Sequence, residues 1–407
     1  MRRALWLSVL CLGCGKGSAS GPTPAATSTT STPTAPAAPM SAPRPSAAPP
    51  ATTSAAPSRP VTTARGGKLK VDPKPFDVAT GSRAMLFRGG AVVRKRGGEL
   101  LFARLSDKPG RIDDEGTTFA RTRTAIAESA GTSWAVWVEG GALVRAKLPV
   151  DGADGGPKET LATDAEEYPP AAAMAKETLV VAYVAKKGGR DDDRRAKLWV
   201  EGRGVVDLSG DSGASTLSLL ARDDTHLVAA WIDQRTALAP VHVAEIDLST
   251  PQTKVGAPSV AWNAPPADGL LELALSPQKA QPIALVAGPK NGAEFGLARV
   301  PIEPGARPRD DARWLDYPNG LDPAPVVSVS TCGRPGVVFA RPTARALDAP
   351  KSLVHAWVDD RGELLEELEV ARAQRFDHVD ASALPTGAWV LYAADGRTLV
   401  RRLRCAP

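Results

Sequence analysis

A seven-bladed, all-β propeller is the fold predicted by this 407-residue chain, and three observations predict it. A pattern of two paired strands recurs seven times between residues 82 and 405, each time followed by a third strand of alternating character. The residues that close the second strands, Val93, Trp137, Tyr183, Trp231, Val286, Phe339 and Tyr392, recur every 44 to 55 residues, the period of four-stranded blades. The first strands are rich in Ala, Ser and Leu, small enough to crowd around a propeller axis.

In chain order the pairs are RAMLFR with AVVRK, a degenerate first copy, then TAIAES with WAVWVE, AAAMAK with LVVAYVA, and TLSLLA with LVAAWID. LELALS with PIALVAG, VVSVS with GVVFAR and DASAL with AWVLYAA complete the set. The third strands, such as ALVRAKL, VHVAEIDL and TLVRRLR, alternate apolar and polar residues, as a strand with one face toward a neighbouring blade must. Fourth strands are weaker; 205–210 and 363–371 are the clearest, and ELLEELEVARAQ has a composition that also suits a helix. The seventh copy stops at Cys405 without a fourth strand, whereas KLKVDPKPF (68–76) precedes the first copy and has no blade. That N-terminal strand is therefore expected to complete the last blade and close the ring, leaving no open sheet edge at the seam.

The chain divides into three parts: residues 1–13, 14–67 and 68–407. Arg2 and Arg3, an apolar run over 4–12, and Gly13 before Cys14 resemble a bacterial lipoprotein signal, departing from that pattern at Cys11, where Leu is usual. The resemblance implies cleavage before Cys14, acylation of that residue, and, with Gly15 next in line, attachment at the outer membrane. A plain secretory signal is the alternative. Residues 15–66 are almost entirely Pro, Ala, Ser, Thr and Gly, a composition that cannot bury a core and reads as a disordered tether. Fully extended as polyproline II, at ~3.1 Å per residue, it reaches roughly 150 Å.

The formal charge of +5 suggests a nucleic-acid partner only until it is divided along the chain. The first 67 residues hold six of the 50 basic and none of the 45 acidic residues, so the remainder carries −1 and no basic stripe. Nucleic acid is not an expected partner. Of four cysteines, two belong to the signal, and Cys332 and Cys405 are the simplest disulfide for an exported domain. The four histidines show no metal-ligand spacing, and no metal or cofactor is expected.

The segments 227–247 (LVAAWIDQRTALAPVHVAEID) and 355–365 (HAWVDDRGELL) carry a W-x-D-x-R element similar to that of sialidase-like exported propellers. The sialidase Asp box, S-x-D-x-G-x-x-W, is absent from every copy, so Asp233 and Arg235 are expected to fix a turn rather than to do chemistry. No nucleophile elbow and no phosphate-binding glycine loop is present. A charged run over 190–195 suits a solvated hairpin tip, and Asp151 and Asp154 lack the spacing of a calcium loop.

Aromatic residues cluster in the segments leading into the first strands: Tyr168, Trp262, Tyr317 and Phe376 with His378. In a propeller these segments share one face, called the front face below, with the loops between second and third strands. Two roles fit the aromatics, a rim that stacks on a glycan or peptide and plugs between blades. The chain is thus expected to be a lipid-anchored binding or scaffold module of the cell envelope, with an unknown protein or glycan as partner and no assigned catalytic residue. The alternative is a sialidase-like or other carbohydrate-active hydrolase on the same fold. Arginines and carboxylates converging on the front-face axial pocket would favour the hydrolase; small apolar side chains there would favour the binding module.

Overall fold

The structure, a computed structural model, describes residues 68–406 except 81–83, 89, 106–110, 113–122, 130, 150–154, 187–193, 211–212, 236–238, 264–269, 276–281, 291–293, 304, 306–312, 317–325, 345–347 and 360–362. All lie in one compact unit, Thr63–Pro407. Every element among them is a strand, and the strands form seven antiparallel sheets, the blades of a propeller.

Blade one holds β3 (Met85–Phe87), β4 (Gly90–Arg94) and β5 (Leu100–Arg104), three strands among the described residues. Blade two holds β6 (Ala125–Glu128), β7 (Ser133–Glu139), β8 (Ala142–Lys147) and β9 (Glu159–Ala162). Blade three holds β10 (Ala171–Ala175), β11 (Thr178–Lys186), β12 (Arg194–Val200) and β13 (Gly204–Asp207). In blade four, β14 (Ala214–Ala221), β15 (His226–Asp233) and β16 (Val241–Asp247) are followed by two short outer strands, β17 (Lys254–Val255) and β18 (Ser259–Trp262), both paired to β16. Blade five holds β19 (Leu270–Leu275), β20 (Pro282–Lys290), β21 (Glu294–Pro301) and β22 (Arg313–Asp316). Blade six holds β23 (Val326–Thr331), β24 (Arg334–Pro342), β25 (Lys351–Val358) and β26 (Leu364–Ala373).

Blade seven closes the ring. Its β27 (His378–Leu384), β28 (Gly387–Ala394) and β29 (Arg397–Cys405) are joined by β1 (Leu69–Val71) and β2 (Phe76–Thr80), which both pair antiparallel with β29. The expected closure by residues 68–76 is therefore present, with Leu69 opposite Cys405 and Phe76 opposite Val400. Side chains reinforce it. Phe76 packs edge-on against Trp389 at 6.2 Å, and Arg404 reaches both oxygens of Asp72 at 2.8 and 2.9 Å.

The first strands contact one another in a complete circle, β3 to β6, β10, β14, β19, β23, β27 and back to β3. The seven residues expected to close the second strands lie one to four residues before the strand ends and are all buried, with Trp137, Tyr183, Trp231 and Phe339 among the largest fully buried side chains. They fill the wedge between neighbouring blades, where burying an aromatic side chain stabilises by about 2 to 3 kcal/mol. Segment 364–373 is a strand, not a helix: its helix-favouring Leu and Glu residues give way to pairing along β25, which buries Val370 and Ala371. Cys332 and Gly333 form the two-residue turn between β23 and β24, both with positive φ (53° and 72°), the type I′ pattern that matches hairpin twist.

Candidate functional site

Because each first strand starts at the front face and runs along the axis, the seven of them enclose a cavity of about 330 Å³. Its wall takes residues from all seven first strands, and from Arg123, Tyr168, Pro169 and Pro170 in the segments leading into β6 and β10. Much of the wall is small or apolar, such as Ala125, Ala171, Ala172, Leu219 and Val327. Against this ground stand Glu128 on β6, Glu272 on β19, Asp380 on β27, the Arg123 guanidinium, and the hydroxyls of Ser215, Ser218, Ser328 and Ser382.

The carboxylates are held by the ring itself. A first strand is the inner edge of its sheet, so its outward N–H groups lack ladder partners and need acceptors from the next blade. Asp380 of blade seven accepts the Leu86 N–H of blade one through Oδ2 at 2.6 Å. Glu272 of blade five accepts the Ser328 N–H of blade six at 3.3 Å and its hydroxyl at 2.8 Å. Glu128 of blade two accepts the Arg88 N–H of blade one, the Ser133 hydroxyl at 3.2 Å and the Ser382 hydroxyl of blade seven at 3.4 Å. These contacts fix each carboxylate's orientation and tie neighbouring blades around the axis.

Burial sets their electrostatics. It raises the proton affinity of Glu128 and Glu272, and takes Asp380 to about 6. For Asp380 burial outweighs the opposing pull of Arg123, whose guanidinium lies 3.6 Å from Oδ1, and of the Leu86 N–H; the Glu272 charge adds to the rise. Asp380 is thus a carboxyl that exchanges a proton near neutrality inside a water-sized to sugar-sized chamber.

The two roles left open for the aromatics divide between them. Tyr168 lines the cavity at its front rim, with the Arg194 guanidinium stacked 5.0 Å over its ring and hydrogen-bonded to its hydroxyl. Trp262 is 5 % exposed and packs against Trp314; Phe376 is 3 % exposed and packs edge-on against Tyr392. These two rings are blade plugs, since burial leaves neither face open to a ligand. His378 is buried, and its Nε2 lies 2.9 Å from the Ala84 carbonyl, linking blade seven to blade one. Tyr317, Cys14, Asp151, Asp154 and residues 190–193 of the charged tip lie outside the described residues.

Cys332 and Cys405 are disulfide-bonded, their Cα atoms 5.7 Å apart, on the rear face opposite the cavity mouth. The W-x-D-x-R element is a turn device: Asp233 accepts the Arg235 N–H at 2.9 Å and its guanidinium at 2.8 Å, and the Gly213 N–H at 3.2 Å. Among the described residues no group of His, Cys, Asp and Glu has metal-site geometry.

Sequence reasoning did not single out Arg123, Glu128, Glu272 or Asp380. A signal was present: TAIAES, LELALS and DASAL are strands of small or apolar residues, each holding one acid that must face a crowded axis. Only the closed ring shows that the three acids share a chamber. A scan of known family models gives no match to this chain, and neither does a search of the curated proteins. Among solved structures, that of AofleA from Arthrobotrys oligospora resembles it over 83% of this chain and 93% of that one, at 13% identity and a TM-score of 0.44, too distant to bear on function.

Proposed function

We propose that this protein is an exported binding module whose ligand site is the axial cavity, tethered to the outer membrane by an acylated Cys14, and that its ligand is an envelope glycan or protein group inserted from the front face. The observation that carries the reading is the polar wall of that cavity. Three oriented carboxylates, an arginine and four serines stand among small residues, with an aromatic ring at the rim. A few directional polar groups in a concave wall are what a specific small-group site needs. The test is retention: full mature protein immobilised on a surface should capture glycans from an array, or a component of solubilised envelope, and Ala381→Trp, which fills the cavity, should abolish that capture. Identical capture by both proteins would place the binding elsewhere. Tethering is tested separately. Cys14→Ser should move the protein out of the membrane fraction and remove fatty-acid labelling, and unchanged membrane association would overturn the anchor.

A second reading has its own observation. Charged groups do converge on the axial pocket, the outcome that favours a hydrolase, and Asp380 can hold a proton up to about pH 6, as a general acid must. Two features weigh against it. Each carboxylate already accepts a neighbouring blade's N–H, and the described wall holds one arginine where a sialidase-like site needs three. Turnover of aryl glycosides that disappears in Asp380→Asn would establish the hydrolase.

A further inference from the structure

The geometry points to a ligand class: the axial cavity is built for a group that ends in a primary ammonium, an amino sugar or a lysine side chain, and it rejects anionic sugars. This inference rests on the reading of the cavity as the ligand site and narrows it.

Charge comes first. Among the described lining residues Arg123 is the only base, against Glu128, Glu272 and Asp380. Arg123 acts on two of the three: its guanidinium lies 3.6 Å from Asp380 Oδ1, and its charge opposes the proton affinity of Glu272. The third, Glu128, feels the Arg88 charge, so two arginine charges stand against three carboxylates and the described wall keeps an excess of negative charge. Burying unmatched carboxylate is costly, and a ligand cation that replaces lost water relieves that cost where a neutral ligand cannot.

Hydrogen-bond polarity points the same way. The Ser328 hydroxyl donates to Glu272, the Ser382 hydroxyl to Glu128 and the Ser215 hydroxyl to the Ile232 carbonyl, so three of the wall's hydroxyl protons are already committed, leaving lone pairs. Asp380, 5 % exposed, acts here as an acceptor, from the Leu86 N–H and the backbone at Ala381, and faces the Arg123 guanidinium at 3.6 Å. The wall is therefore rich in acceptors. An ammonium group has three donors and no acceptor, whereas a carboxylate, phosphate or sulfate brings only lone pairs. Arg123 does not reverse this, because its charge is already opposed by Asp380 and Glu272.

Placement orients the acceptors in advance. The carboxylates come from blades two, five and seven, so they stand on different sides of the axis, and each is pinned through a neighbouring blade's backbone N–H. An ammonium entering along the axis passes Glu272 and Asp380, toward the front of their strands, before Glu128 at the end of β6, and finds each already oriented, without side-chain ordering. At the mouth the Tyr168 ring, over one side of which the Arg194 guanidinium stacks, presents its cavity side to the sugar ring or the lysine stem.

Calorimetric titration of the full mature protein at pH 7.5 and low salt tests this with five probes: glucosamine, Nα-acetyllysine methylamide, glucose, N-acetylglucosamine and N-acetylneuraminate. At least one ammonium probe should bind about tenfold or more tightly than either neutral sugar, and neuraminate should not bind. Preference for glucosamine identifies an amino sugar as the source, and preference for the lysine derivative identifies a protein side chain. Glu272→Gln should weaken the ammonium probe about tenfold. Arg123→Gln, outside the strands at a partly exposed position, removes the charge that opposes Asp380 and Glu272 and should tighten it, its melting temperature being recorded to show that the variant is folded. Neutral sugars that bind as well as ammonium probes, with binding lost in Ala381→Trp, overturn the ammonium inference and leave the cavity as the site. Binding of neuraminate, weaker ammonium binding in Arg123→Gln, or no heat from either ammonium probe at 10 mM, about the weakest affinity such a site would be useful at, also overturns it.

Discussion

Asp380 is where sequence, packing and chemistry meet in one side chain. Buried on β27, it accepts the Leu86 N–H and keeps its proton to about pH 6, well above an ordinary aspartate, chiefly because burial penalises its charge. Raised affinity in the folded state fixes the sign of its effect on stability. Below about pH 4 the carboxyl is protonated in both states and costs nothing; between about 4 and 6 the folded protein holds the proton more tightly than the unfolded chain, so stability falls as pH rises; above about 6 the full cost of the buried charge is present. A shift of this size corresponds to about 1 to 3 kcal/mol. His355 runs the other way. Burial lowers it to about 4, so the stability of its neutral form is lost as pH falls toward that value. The two effects overlap in the wild-type curve, and a difference separates them. The melting temperature of Asp380→Asn minus that of wild type should rise as pH goes from 4 to 7; a difference that stays constant over that range would mean that Asp380 is not the group that titrates.

At the scale of elements, the strands that follow period two were legible because each obeys one local rule. Trp137, Tyr183, Trp231 and Phe339 announced their second strands by being large and apolar, and the structure buries all of them, two or three residues before each strand ends. Outer strands obey weaker rules, since solvent on one side relaxes the pattern. The 205–210 segment forms β13 at Gly204–Asp207, while blade four divides its outer strand into β17 and β18. Least legible was the axial chamber. Glu128, Glu272 and Asp380 lie far apart in the chain, and nothing local to any of them says that the ring closes and that β27 meets β3. The closing strands were legible by elimination, as a strand without a blade beside a blade without a strand. Their removal has a definite consequence. Deleting 68–76 strips β1 and Phe76 from β29 and exposes the edge that they cover, together with the Arg404 guanidinium that Asp72 holds. That variant should melt several degrees lower and be cut rapidly by protease near its C-terminus, whereas deleting 15–60 should change neither property. Equal melting of both truncations with the intact protein would show that the seam does not depend on this strand.

For the whole molecule the question is what keeps a ring of seven separate sheets from opening at the seam between its first and last blades. Backbone pairing of β1 and β2 with β29 is one closure. The Cys332–Cys405 bond does not cross that seam but braces its closure from the neighbouring blade: it joins the β23–β24 turn of blade six to the end of β29 in blade seven, where Cys405 also pairs with Leu69. Successive strands of a blade alternate direction, so a first-to-second turn and the end of a third strand share the rear face, and adjacent blades bring the two positions to a Cα separation of 5.7 Å. The bond therefore fastens the end of the strand that carries the N-terminal closure, and brace and closure are coupled. A loop across 73 residues lowers the entropy of the unfolded chain enough to stabilise by about 4 kcal/mol in the chain-entropy account. Coupling makes the combined variant informative. Cys332→Ser with Cys405→Ser should lower the melting temperature, and adding the 68–76 deletion should cost less or more than the sum of the separate losses, because contacting elements are not independent. Peptide mapping without reductant, on protein isolated from the envelope, should recover the 332–405 cross-linked pair. Two free thiols there, or losses that add within about 0.5 kcal/mol, would separate the disulfide from the seam and leave the ring closed by its strands alone.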